Sequence, residues 1–216
     1  MMKSKLFLDM DGVLADFFGV ITKLAGKKHY KDLSIDDIFK VMNQQDVFNL
    51  FKDLPEFKSN NVLMQKVMKF TNGEGYYICS SPLMDDRDEK NSRRNRYFIQ
   101  QSIIGKKAWI DQHLSPTPIK ICFSKEKWKD APAVENGIPN ILIDDHQHNV
   151  DQWNNAGGIA IKFQADEHQL DANLTFLDKE LEKAAKIIKK IEKDKNPDKF
   201  NYDKKVKSYL ENYKGS

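Results

Sequence analysis

The chain has 216 residues, enough for one well-cored domain with a small accessory module, and its 40% hydrophobic and 11% aromatic content suits a packed core. Its 35 Lys+Arg against 32 Asp+Glu leave a net charge of only +3, too small a basic excess for a dedicated nucleic-acid binder. No apolar run approaches the roughly 18 residues of a membrane span, the amino-terminal MMKSKLFLDMDG lacks the apolar stretch of a secretory signal, and the two cysteines, Cys79 and Cys122, suit buried thiols in a reducing, cytoplasmic setting.

In chain order, residues 5–8 form a short apolar run that predicts a first strand, leading straight into Asp9. Residues 13–24 have helical period. Residues 26–72 contain no good strand and instead read as three short helices. The first starts after Ser34, with Asp36 and Asp37 in its first turn and Ile35, Ile38, Phe39 and Met42 at helical spacing. The second covers 46–52 and the third 59–70. A second strand over 76–79 runs into Ser80, and a helix follows over 88–103. Strands over 119–123, 140–143 and 158–163 come next, with a helix over 150–156 between the last two. Residues 178–193 read as a strong helix with Leu181, Ala184, Ile187, Ile188 and Ile191 on one face, and 202–213 as a weaker helix or tail.

Strands alternating with helices predict an α/β fold with a parallel sheet flanked by helices. The expected division is a core of residues 1–25 and 73–178, a small helical cap of 26–72 inserted after the first strand, and a C-terminal helical extension over 179–216. Ligands of open α/β sheets bind just beyond the carboxyl ends of the strands. Three predicted strands end there in polar residues: Asp9, Ser80 and Asp144.

The segment Asp9-Met10-Asp11-Gly12 carries the most chemistry. Two acids separated by one residue, at a strand end and before a glycine turn, both aim into one site. One carboxylate can attack phosphorus while the other protonates the leaving oxygen. Two anions facing a phosphate need a cation, and Mg²⁺ suits oxygen ligands while keeping room for substrate.

This segment resembles the first motif of the haloacid dehalogenase (HAD) superfamily, a strand followed by Asp-x-Asp-Gly, and three further motifs match in order. Ser80 resembles the second-motif hydroxyl that donates to the phosphoryl oxygen. Lys127 resembles the third-motif lysine, with Lys125 as its rival and the spacing from the strand favouring Lys127. Asp144-Asp145 resembles the fourth motif, whose first acid completes the Mg²⁺ shell. The resemblance implies a HAD-like Rossmannoid core, catalysis by Asp9, Asp11, Ser80 and Lys127, and a metal held by Asp9, the Asp11 carbonyl and Asp144.

Within that superfamily, Asp9-Met10-Asp11-Gly12-Val13-Leu14-Ala15-Asp16-Phe17 and Ile78-Cys79-Ser80-Ser81-Pro82-Leu83 are similar to the 5'(3')-deoxyribonucleotidase family. This implies a phosphoric monoester hydrolase acting on nucleoside monophosphates, with Gly12, Phe17, Ser80, Ser81, Lys125 and Asp145 at the substrate. Phe18, Phe48 and Phe51 are further candidates for a nucleoside pocket. The chain departs from the family pattern at Ser80, where threonine is usual, and at Lys125 and His146, where arginine is usual.

His146 and His148 have no further ligand types spaced to complete a second metal site and read as a solvated loop. The Lys-rich segment from Lys179 onward also carries Glu180, Glu182, Glu192 and Asp194, the composition of a solvated helix face, so contact with nucleic acid is not expected. The alternatives to a nucleotidase are a HAD phosphatase on another substrate, such as a nucleic-acid 3'-phosphate end, and a non-catalytic binding protein. An oligomer is compatible with the sequence.

Overall fold

The computed structural model describes residues 4–83, 92–132, 137–165 and 170–195. Five strands form one wholly parallel sheet: β1 (Leu6–Leu8), β2 (Tyr77–Ser80), β3 (Lys120–Phe123), β4 (Ile141–Asp144) and β5 (Ile159–Lys162), in the order β3-β2-β1-β4-β5. The α/β parallel-sheet expectation is borne out, with each strand within a residue or two of its apolar run. The predicted run at 202–213 lies outside the described residues.

The central strands β1 and β4 are buried along their whole length because both faces of the sheet are covered there. Leu6 and Leu8 of β1, with Ile141 and Ile143 of β4, join the larger core. The intervening Phe7 and Leu142 point the other way, into a cluster with Cys79, Ala131 and Trp153. In that second layer Trp153 meets Phe7 edge-on, with ring centroids 5.4 Å apart, and donates its indole N–H to the Asn140 carbonyl.

The helices are α1 (Phe17–Leu24), α2 (Ile35–Gln44), α3 (Val47–Lys52), α4 (Asn60–Phe70), α5 (Ser92–His113), α6 (Gln147–Asn155) and α7 (Leu170–Lys195). Ser34 caps α2 with a reciprocal capping box to Asp37, and Asp46 caps α3 through the Asn49 N–H. Helices α2, α3 and α4 occupy the interval between β1 and β2. The segment between α3 and α4 pairs with the loop after β1: the Asp16 N–H donates to the Pro55 carbonyl and the Phe57 N–H to the Leu14 carbonyl.

Helix α5 runs ten residues beyond the predicted 103, to His113. Gly105, just past the predicted end, permits a close approach. A Cβ there would lie 2.6 Å from the Phe48 carbonyl oxygen and 2.8 Å from the Phe51 Cβ. Trp109, fully buried, donates to the Leu54 carbonyl at 2.7 Å and ties α5 to the segment after α3. Leu177, Leu181 and Ala184 of α7 are buried, whereas Ile187 is exposed.

Candidate active site

The chain passes from β1 to β2 and β3 on one side, then crosses to β4 and β5 on the other. This creates a topological switch beside β1, and the crevice beyond the strand ends at such a point is where open α/β sheets bind ligands. Asp9 follows β1, and Asp144 ends the neighbouring β4; the Asp9 N–H donates to the Ile143 carbonyl at 2.9 Å.

The turn after Asp9 is tight. The Leu14 and Ala15 amides both donate to the Met10 carbonyl, and Gly12 N–H donates to the Ala15 carbonyl. Gly12 has φ +79°, the left-handed region that favours glycine. A Cβ there would stand 2.3 Å from Asp145 Oδ2, so the glycine also makes room for that carboxylate.

Lys127 is only 2% exposed and places its ammonium 2.7 Å from both Asp9 Oδ2 and Asp144 Oδ2. Asp9 Oδ1 accepts from the Met10 N–H at 2.7 Å. Burial alone would lower the Lys127 pKa, but Asp9 and Asp144 more than offset it and hold the lysine charged. Lys125 is exposed, so the structure brings Lys127, and not Lys125, to the two acids.

The paired acids have different surroundings. Asp144 accepts from the His146 N–H at 2.8 Å and from the Asn149 side-chain amide at 3.1 Å, in addition to Lys127. Asp145 accepts no hydrogen bond from the described residues. Its pKa lies well above the ordinary carboxylate range, through burial first and then the negative charges of Asp9 and Asp144. The Asp144 pKa is also raised, chiefly by burial. Carboxylate oxygens of Asp9, Asp144 and Asp145 lie within 4.8 Å of one another and could hold a metal ion. Such an all-oxygen set suits a hard divalent cation, and Asp145, without a hydrogen-bond donor, is the acid most in need of one. The resemblance implies Asp144 at the metal and Asp145 at the substrate; in the structure both acids stand in one cluster with Asp9, Asp144 being the more heavily hydrogen-bonded of the two.

On the other side of Asp9, Ser80 is fully buried and Ser81 half-buried, its hydroxyl reaching the Ser124 carbonyl at 3.4 Å. Between Ser80 and Asp11 stands a residue that sequence reasoning missed. Lys106 of α5, 1% exposed, contacts Asp11 Oδ2 at 2.6 Å, the Ser81 carbonyl at 2.6 Å and Ser80 Oγ at 3.0 Å. Burial raises the Asp11 pKa, with Lys106 opposing the shift. The sequence carries no local signal for Lys106, since Gly-Lys-Lys looks like a solvated helix end. Asn149, just before the predicted helix of 150–156, is likewise a contact of Asp144 that sequence reasoning missed.

Phe17 was expected in the substrate pocket. It is buried in the core, stacked on Phe51 with centroids 5.3 Å apart and planes within 9°. Phe51 in turn lies under the Lys106 ammonium at 5.2 Å, so this pair backs the site from behind. Phe48 is half-buried, and Phe18 meets Phe17 edge-on. His146 and His148 are exposed. A cleft of about 890 Å³ opens at the opposite rim of the sheet, lined in part by Lys5, Tyr77, Ile119 and Asn140, away from these acids.

Residues 3–175 match the protein family described as 5' nucleotidase, deoxy (pyrimidine), cytosolic type C protein. No curated protein is a significant match in sequence. Solved structures that resemble the chain include a HAD family enzyme from Bacteroides thetaiotaomicron in complex with magnesium and inorganic phosphate, at 14% identity and TM-score 0.42, covering 77% of this chain and 97% of that one. A HAD family hydrolase from Deinococcus radiodurans R1 with bound phosphate and sodium matches at 12% identity and TM-score 0.46, covering 84% and 96%. A phosphonoacetaldehyde hydrolase-like protein from Oleispira antarctica matches at 11% identity and TM-score 0.44, covering 86% and 89%.

Proposed function

Because this chain belongs to the 5' nucleotidase, deoxy (pyrimidine), cytosolic type C family and is thereby a HAD-type phosphoric monoester hydrolase, we propose that it hydrolyses nucleoside monophosphates with Mg²⁺, using Asp9 as nucleophile. The observation that carries this reading is the meeting of a lysine-paired Asp9, a cluster of acids and a buried serine at the switch point of the sheet.

In the proposed reaction an Asp9 oxygen attacks phosphorus in line with the ester oxygen, forming an aspartyl-phosphate. Lys127 neutralises the nucleophile and incoming phosphate, and the Ser80 hydroxyl donates to a phosphoryl oxygen. Asp11 gives a proton to the departing alkoxide, a role suited to an acid whose pKa is raised by burial. It then takes a proton from the water that attacks the aspartyl-phosphate, returning Asp9 and phosphate. Mg²⁺ would be held by Asp9, the Asp11 carbonyl and Asp144, with Asp145 as a further ligand, and would supply positive charge where phosphate oxygens gather. Gly12 keeps that corner clear. Ser81 and Lys125 are proposed at the substrate's periphery. The helices of residues 26–72 are proposed as the cap over it, and a cytoplasmic location accords with the absence, among the described residues, of a helix long and apolar enough to cross a membrane.

The test is phosphate release from a panel of ribo- and deoxyribonucleoside 5'- and 3'-monophosphates, with Mg²⁺ or chelator, for wild type and Asp9→Asn. Metal-dependent turnover of one subset, lost in Asp9→Asn, is expected. Silence on every nucleotide with turnover of a generic aryl phosphate would remove the nucleotide assignment.

A further inference from the structure

Lys106 has a feature that the reaction above leaves unused. An ammonium group has three N–H donors and no acceptor. Three acceptors surround this one: Asp11 Oδ2, the Ser81 carbonyl and Ser80 Oγ. The contacts thus account for all of its hydrogens. Each contact also constrains its partner. A hydroxyl has one hydrogen to give, and because Ser80 Oγ accepts from Lys106, that hydrogen must point elsewhere. No described residue receives it. Asp11 is gripped through Oδ2 alone, while its buried Oδ1 has no hydrogen-bond partner. Two unspent groups, one donor and one acceptor, therefore flank the same buried lysine.

We propose that Lys106 is a positioning residue of this hydrolase: it turns the Ser80 proton toward the phosphoryl oxygen and holds Asp11 so that Oδ1 meets the leaving group. The inference rests on the phosphatase reading above and deepens it. Removing one partner of a buried ion pair costs stability whatever the pair's task, so a structural role and a positioning role are separated by comparing two esters and two backgrounds. The lysine is held in place from the far side. The close approach at Gly105 seats α5 against α3, and the Phe51 ring lies under the ammonium.

The experiment compares wild type, Lys106→Met, Lys106→Gln, Ser80→Ala and the Ser80→Ala/Lys106→Met double variant. Each is assayed on a nucleoside 5'-monophosphate, whose alkoxide needs a proton, and on p-nitrophenyl phosphate, whose leaving group does not. Ser80→Ala is expected to lower kcat by about 100-fold in the wild-type background and by only about two-fold in the Lys106→Met background. Lys106→Met should slow the nucleotide at least about ten-fold more than the aryl ester, with KM within about three-fold. Lys106→Gln, which keeps two donors, should recover part of the loss.

Equal cost of Ser80→Ala in both backgrounds would overturn the proposal. So would an equal loss on both esters accompanied by a lowered melting temperature in Lys106→Met and Lys106→Gln alike. An active wild type with an unaffected Lys106→Met refutes this inference alone; a wild type without turnover of any phosphate ester refutes the hydrolase reading as well.

Discussion

Replacing Lys127 by methionine removes the charge but keeps an unbranched chain of similar length. In the folded protein this strands two carboxylates, both almost inaccessible to water, that each lost an ammonium at 2.7 Å. Breaking a buried ion pair from one side costs about 3–5 kcal/mol. For a chain of this size each kcal/mol moves the melting temperature by roughly 2–4 °C, so Lys127→Met should melt about 6–20 °C below wild type near neutral pH. The loss has a definite pH dependence. The folded-state pKa of Asp144 is already raised by burial, and Lys127 opposes that rise. Without the lysine the carboxyl rises further, so the folded state binds more protons than the unfolded one. The deficit should shrink as pH falls and Asp144 is protonated, and widen as pH rises through the raised value. In an Asp144→Asn background Lys127→Met should cost less, because one stranded charge is gone. The assay is thermal melting by circular dichroism across a pH series. A shift under about 1 °C, or one that deepens toward acid, would refute the reasoning.

Three further outcomes are expected. Gly12→Ala combines a left-handed φ with a Cβ 2.3 Å from Asp145 Oδ2, so it should cost about 1–3 kcal/mol in chemical denaturation and displace the acid cluster. Gly105→Ala would gain about 1 kcal/mol in helix propensity, but contact with the α3 backbone at 2.6 Å should outweigh that and give a net fall in stability. Mg²⁺ should raise the melting temperature more at about pH 8 than at about pH 5, because Asp145, with its raised pKa, must lose its proton to bind the metal. Asp145→Asn should abolish most of that shift.

The strands were legible because each is a short apolar run ending in a polar residue, and burial on both faces leaves no other reading for Ile141 to Ile143. The first and fourth motifs were legible for the same reason: acids directly after a buried strand have little structural excuse. Lys106 was not legible. Its value comes from α5 crossing beside β2, a tertiary fact that a lysine in a helical run does not announce. The packing of Phe17, which the sequence places beside the acids, was not legible either. Phe17 opens α1, and its buried ring stacks on Phe51. The different surroundings of Asp144 and Asp145 also depend on the tertiary structure, since neighbouring acids in a sequence do not show which one the amides of residues 146 and 149 take.

The seam between α3 and α5 has a consequence for how substrate enters. The glycine contact at residue 105, the Trp109 indole bonded to Leu54, and the backbone pairing of residues 14–16 with 55–57 clamp the inserted helix to the body of the protein. A swinging lid would have to tear that seam at every turnover. The wall beside Lys106 is thus a fixed jaw. In the proposed reaction, selection among substrates at this wall then depends on shape presented in advance, and variants that loosen the seam should broaden what is accepted while slowing what was preferred.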